Sequence, residues 1–245
     1  MIKFFRHIRK SLLTENKFMK YLFYAIGEII LVVIGIMIAL QINNWNENRK
    51  TRIAEVSKLN KLLEDLKLDS ISFDSNLETL SSVHNLHKQL YTIGYKNSEE
   101  LLTENPNIIR RYPNFSPPSR KTSTLLVSQL NNETIRKELI EYNDNLNRGS
   151  LEMNEFSSIV KDKIRVYLGE KKVYNISSLF ENSDEVKVNM ISKSDLIRMS
   201  RNSDFQQILF EANFKLKSNI GGIETILIPQ NSDLRKLIIN ELKTY

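Results

Sequence analysis

Cysteine is missing from all 245 residues, which excludes disulfides, thiolate metal centres and thiol nucleophiles. That absence is silent on compartment, because exported domains also fold without cysteine. No glycine-rich phosphate loop and no serine nucleophile motif is present. Histidine is nearly absent too: His7 stands alone, and His84 and His87 form an H-x-x-H pair with no third ligand in a nearby motif. No metal and no cofactor is expected, and the pair reads as structural or solvent-facing. Acids occur at helical spacing, as in Glu138 with Glu141 and Glu152 with Glu155, but such pairs are ordinarily solvated faces.

Positive charge is the first thing present in excess, with a formal net charge of +6. It is confined to one place. Lys3, Arg6, Arg9, Lys10, Lys17 and Lys20 face only Glu15 within the first 20 residues, which leaves the rest of the chain close to neutral. A basic tail without a basic stripe or a set of stacking aromatics excludes nucleic acid as the expected partner. It suits a membrane surface, where each basic side chain near anionic lipid contributes about 1 kcal/mol. Met1, Phe4, Phe5, Ile8 and Leu12 recur at helical spacing, so residues 1–20 are expected to lie along the headgroups as an amphipathic segment.

Residues 21–42 follow as an apolar run interrupted only by Glu28 and Gln41. At about 1.5 Å per residue they span about 33 Å, the thickness of a bilayer's hydrocarbon. Tyr21 and Tyr24 at one end, and Asn43, Asn44 and Trp45 at the other, are the side chains expected at the two membrane interfaces. The run is too long, and its exit too polar, for a cleaved signal peptide. Within it Ala25, Glu28, Val32, Gly35 and Ala39 share one helical face. A carboxyl group inside hydrocarbon is costly unless neutral, paired or facing protein. Ala25, Gly27, Glu28, Gly35 and Ala39 are therefore the expected contact with another membrane helix, in a homo-oligomer or in a different membrane protein. Six basic residues precede the span and five follow it within 20 residues, so orientation rests on a small bias. The expectation is a cytoplasmic N-terminus in the inner (cytoplasmic) membrane and an extracytoplasmic body.

Residues 43–95 carry an apolar seam at Val56, Leu59, Leu63, Leu66, Phe73, Leu77 and Leu80, then at Val83, Leu86, Leu90 and Ile93. That spacing predicts a long coiled-coil or bundle helix continuous with the span, with a change of winding near 80–93. Residues 96–245 are expected to form the soluble helical domain. Its first feature is a proline-rich loop, 106–118, whose Arg110 and Arg111, with Arg120 and Lys121 just beyond, read as solvated. Helical pattern resumes at Thr124, breaks at Asn131, and resumes behind an Asn132 cap. Another helix is expected from Leu151 to Gly169, one opened by Asn202 or Ser203 and interrupted by Gly221-Gly222, and a last one capped by Ser232. Lys187 to Met190 alternate in strand fashion, but a single short alternation does not outweigh helical context. The expected fold class is all-α.

The stretch "FRHIRKSLLTENKFMKYLFYAIGEIILVVIGIMIALQINNWNENRK" resembles a bacterial family of single-pass envelope proteins of unknown function. Its members share a basic start, an IGE turn into the span and a QINNWNE exit. "SQLNNETIRKELIEYND" and "DLRKLIINELK" are more loosely similar. The resemblance implies a membrane anchor with a mostly helical domain and implies no catalytic residue. The functional expectation is a binding, sensory or scaffold module without its own catalysis, touching the lipid bilayer. The alternative is a membrane-anchored enzyme or an accessory subunit of a larger membrane complex.

Overall fold

The computed structural model describes residues 18–180 and 190–244. Residues 1–17 of the amphipathic tail and the alternation at Lys187, Val188 and Asn189 lie outside the described residues, as does the side chain of Tyr21. Among the described residues the regular structure is all-α, with no strand and a single antiparallel bridge, Tyr174 to Ile191. Two compact units divide the chain, one ending at Val56 and the other beginning at Ser57.

Helix α1, Phe18–Leu90, enters both units. Its part in the first unit contains an apolar window of mean hydropathy 2.5 of which none is buried. Among the described residues this is the one helix long and apolar enough to cross a membrane. Its part in the second unit buries Leu59, Leu62, Leu66, Asp69, Phe73, Asn76, Leu80, Val83, His87 and Leu90. These positions alternate in steps of three and four from end to end, the spacing of a helix packed along one seam. The expected seam is corrected at three points. Leu62 is buried where Leu63 was expected, Leu77 is only partly covered, and polar Asp69, Asn76 and His87 occupy seam positions.

A π-helical turn, Tyr91–Tyr95, ends this run, and the winding change expected near 80–93 is confined to it. Gly94 sits there against the C-terminal end of another helix. A Cβ on Gly94 would lie 2.2 Å from the Ser200 carbonyl oxygen, so only glycine fits.

The proline-rich segment holds a 3-10 turn, Pro106–Arg110, and then chain without regular structure. Helix α2, Ser119–Leu126, starts five residues before the expected Thr124. Pro117 and Pro118 open it instead of delaying it, because a helix's first turn needs no N–H partner from proline. Asn132 caps helix α3, Glu133–Ser158, with its side chain accepting from the Ile135 N–H at 3.1 Å, as expected. The break expected before Leu151 does not exist. Gly149 stays helical, since an interior glycine costs about 1 kcal/mol, and its missing side chain admits the Phe115 ring to 3.3 Å of a would-be Cβ. A π-helical turn, Ile159–Ile164, leads on into α4, Arg165–Glu170.

Short helices α5, Ser177–Phe180, and α6, Lys193–Ser200, follow, the second capped by Ser192 and absent from the sequence expectation. Asn202 caps α7, Ser203–Gly222, accepting from the Asp204 and Phe205 N–H groups. Gly221-Gly222 does not interrupt this helix. A π-helical turn, Ile223–Leu227, carries the chain into α8, Ile228–Leu242. Ser232 therefore lies inside α8 and caps nothing. Pro229 is tolerated because it falls in the first turn after the wider π-helical winding.

Candidate functional site

Three places gather candidate side chains. The first is the apolar segment of α1. Helical spacing puts Ala25, Glu28, Gly35 and Ala39 on one stripe, while Gly27 lies about 100° away around the helix. Ideal Cβ atoms on Gly27 and Gly35 would meet nothing within 4 Å, so both leave room for close approach by another backbone. Tyr24 and Trp45 are exposed at positions about 32 Å apart along the axis, one at each end of the apolar run. The Arg49 guanidinium lies 6.0 Å from the Trp45 ring centre, and Asn43 and Asn44 are exposed beside it.

The second is a polar hub inside the helical unit. Asp69 of α1 is completely buried. The Ser119 N–H donates to its Oδ1 at 3.0 Å, the Ser119 hydroxyl to its Oδ2, and the Tyr142 hydroxyl to the same Oδ2 at 2.8 Å. Asn231 donates in turn to the Tyr142 oxygen at 3.0 Å and to the Leu66 carbonyl at 2.9 Å. Burial raises the Asp69 carboxyl above the usual range, against the lowering pull of those hydrogen bonds, and burial likewise raises the Tyr142 hydroxyl. Four helices, α1, α2, α3 and α8, thus share one satisfied network. All its donors are spent internally, so the hub fixes register and offers nothing to a ligand.

The third is a cleft of about 850 Å³ between the end of α1 and α7. From α1 and its π-helical turn come His84, His87, Lys88, Leu90, Tyr91 and Tyr95; from α7 come Gln206, Gln207, Leu209, Phe210, Asn213 and Lys217. His84 Nδ1 and Asn213 Oδ1 are hydrogen-bonded at 3.0 Å. Gln206 is anchored by donating to the Ser200 carbonyl at 3.0 Å. Tyr91 and Tyr95 stack with centroids 5.3 Å apart. His87 is 3% exposed, and neither of its ring nitrogens has a hydrogen-bond partner. Burial, helped by nearby His84, lowers the His87 imidazole to about 3, so it is neutral at physiological pH.

The two histidines therefore have different settings, one hydrogen-bonded and one buried but unsatisfied. No group of three or more metal-ligating side chains occurs among the described residues. The basic residues near the proline-rich loop do not converge: Arg110 lies over Tyr174 at 5.0 Å, and Arg120 donates to Ser150 at 3.3 Å. Glu152 and Glu155 are both engaged by Lys215. The sequence carries a signal for the burial of His87, though not for the cleft. Continuing the three-four spacing from Leu59 through Leu80 lands on His87 and predicts that it is buried.

A family model described as a family of unknown function, DUF6090, matches residues 28–199. The chain belongs to DUF6090. The DUF6090 match begins at Glu28 and takes in the exit motif, Asp69, Tyr142 and both cleft histidines. The α7 side of the cleft lies beyond it. No curated protein and no solved structure matches the chain.

Proposed function

We propose that this DUF6090 chain is a single-pass inner-membrane protein whose helical domain works by binding, as a sensory or scaffold module, on the extracytoplasmic side. One observation carries the reading. The segment from Leu22 to Ile42 exposes its large apolar side chains all round, whereas the second unit buries most of its own in a continuous core. An exposed helix of this length that is apolar but for two residues is stable in lipid and not in water. The second unit offers a roomy cleft of the kind that ligands occupy.

The basic tail and the exit side differ little in charge, and the tail precedes the span, which favours its retention in the cytoplasm. The small-residue stripe with Glu28 is the surface through which this helix meets a second copy or another membrane protein. A C-terminal fusion that reports compartment tests the reading. Alkaline phosphatase is expected to be active there and green fluorescent protein dark. The opposite pair of results rejects the extracytoplasmic placement.

A further inference from the structure

We propose that the cleft between the end of α1 and α7 binds an amphipathic organic anion: an apolar or aromatic body carrying one carboxylate or sulfonate. The assignment rests on the binding-module reading and adds the ligand's chemistry to it.

Charge selects the head group. Lys88 and Lys217 reach the cleft from opposite helices, both are exposed, and no carboxylate is among the lining residues. Neither lysine has an ion-pair partner among the described residues. Two cations lining a space without acids attract an anion and repel a cation.

Shape and polarity select the body. Leu90, Leu209, Tyr91, Tyr95 and Phe210 supply apolar wall, and Tyr95 and Phe210 are each 65% exposed. Exposed aromatic rings at a cleft's mouth gain most by closing over an apolar guest. The volume falls within the range that small-molecule sites occupy.

His87 supplies the independent sign that the cleft is built for a ligand. A buried imidazole with two unpaired nitrogens is a standing penalty that protein packing alone would remove with leucine. As a neutral ring it carries one N–H donor and one acceptor, and it holds that state because burial resists protonation. His87 lines the cleft with both ring nitrogens beneath its surface, so an anion bound there changes the surroundings of the ring.

The test uses the full chain in phosphatidylcholine nanodiscs, whose net-neutral lipid leaves both lysines free. Naphthalene-2-sulfonate is titrated calorimetrically beside naphthalene-2-sulfonamide, which keeps the ring and removes the charge. The sulfonate is expected to bind saturably at one site, about tenfold more tightly than the sulfonamide. In the double variant Lys88→Gln with Lys217→Gln that preference disappears while sulfonamide binding is unchanged. Nitrogen-15 shifts of the His87 ring are expected to move with sulfonate in the parent chain. Circular dichroism confirms that the variant is folded, and both lysines are surface residues, so folding is retained. Equal affinity for the two probes overturns the proposal, as does sulfonate affinity unaltered by the double substitution. Heat no greater than that of empty nanodiscs overturns it too. Should the chain fail to enter nanodiscs and remain in solution, the membrane reading falls, and the same titration on the soluble chain still decides the cleft.

Discussion

His87 shows how a single side chain is shaped by competing demands. It occupies a core position on the α1 seam, yet it is polar and both nitrogens are unpaired. Replacement by leucine removes the unsatisfied groups, and His87→Leu is expected to stabilise the folded chain by about 1 kcal/mol at pH 7. The pH dependence has a definite sign. Because the folded imidazole titrates near 3 and the unfolded one near 6.5, acid favours the unfolded chain between those values. The parent chain is therefore expected to lose stability relative to His87→Leu as pH falls through that window, by up to about 1.4 kcal/mol per pH unit. Asp69, whose carboxyl is raised, contributes the opposite slope, but it is present in both chains and drops out of the difference. Thermal unfolding of the two chains from pH 7 to pH 4 measures this, and parallel curves would count against it. The burial of His87 was legible from spacing, since a strict seam projects onto it. Its lack of partners was not, because that depends on α7, more than a hundred residues away in sequence.

Among the elements, helix boundaries were legible where a cap spoke for them and illegible where packing overruled propensity. Asn132 and Asn202 open helices as their type predicts. Gly149 and Gly221-Gly222 look like breaks but are not. Gly149 makes room for the Phe115 ring, and the second pair runs into a π-helical turn that keeps the chain helical. Ser232 looks like a cap only when Pro229 is taken to end a helix instead of beginning one. The most demanding glycine is Gly94, which no periodicity marks. Its clash is with backbone, which cannot rotate away, so Gly94→Ala is expected to destabilise the helical unit by about 2 to 3 kcal/mol. Chemical unfolding monitored by circular dichroism reads this directly, and a loss below 0.5 kcal/mol would show that the π-helical turn yields. The apolar segment of α1 makes a different prediction. Gly35→Leu fills the stripe and Glu28→Gln exchanges its carboxyl group for an amide; each is expected to weaken self-association or partner capture in membranes at least threefold, by about 0.6 kcal/mol or more. Energy transfer between labelled chains in vesicles, together with crosslinking to membrane partners, checks it. Unchanged association in both variants would remove the stripe from the account.

For the molecule as a whole, the order of its parts was the most legible property. The all-α class, the long first helix and its apolar first part all follow from the 3.6-residue pattern and from the length of the run. The polar hub was not foreseen, because Asp69, Ser119, Tyr142 and Asn231 come from four separated stretches that only the tertiary fold joins. The cleft is invisible for the same reason. The proposed reading, an anchored binding protein, depends first on placement across a bilayer. The absence of cysteine makes placement directly measurable, since each introduced thiol is the single one present. Ser11→Cys puts a thiol in the basic tail, and Ser128→Cys puts one on an exposed turn beyond α2. A membrane-impermeant maleimide is added to cells whose outer barrier is permeable and whose inner membrane is intact. The account predicts labelling of Ser128→Cys before lysis and of Ser11→Cys only after it. Labelling in the reverse order, or recovery of both variants as freely soluble protein, would contradict it.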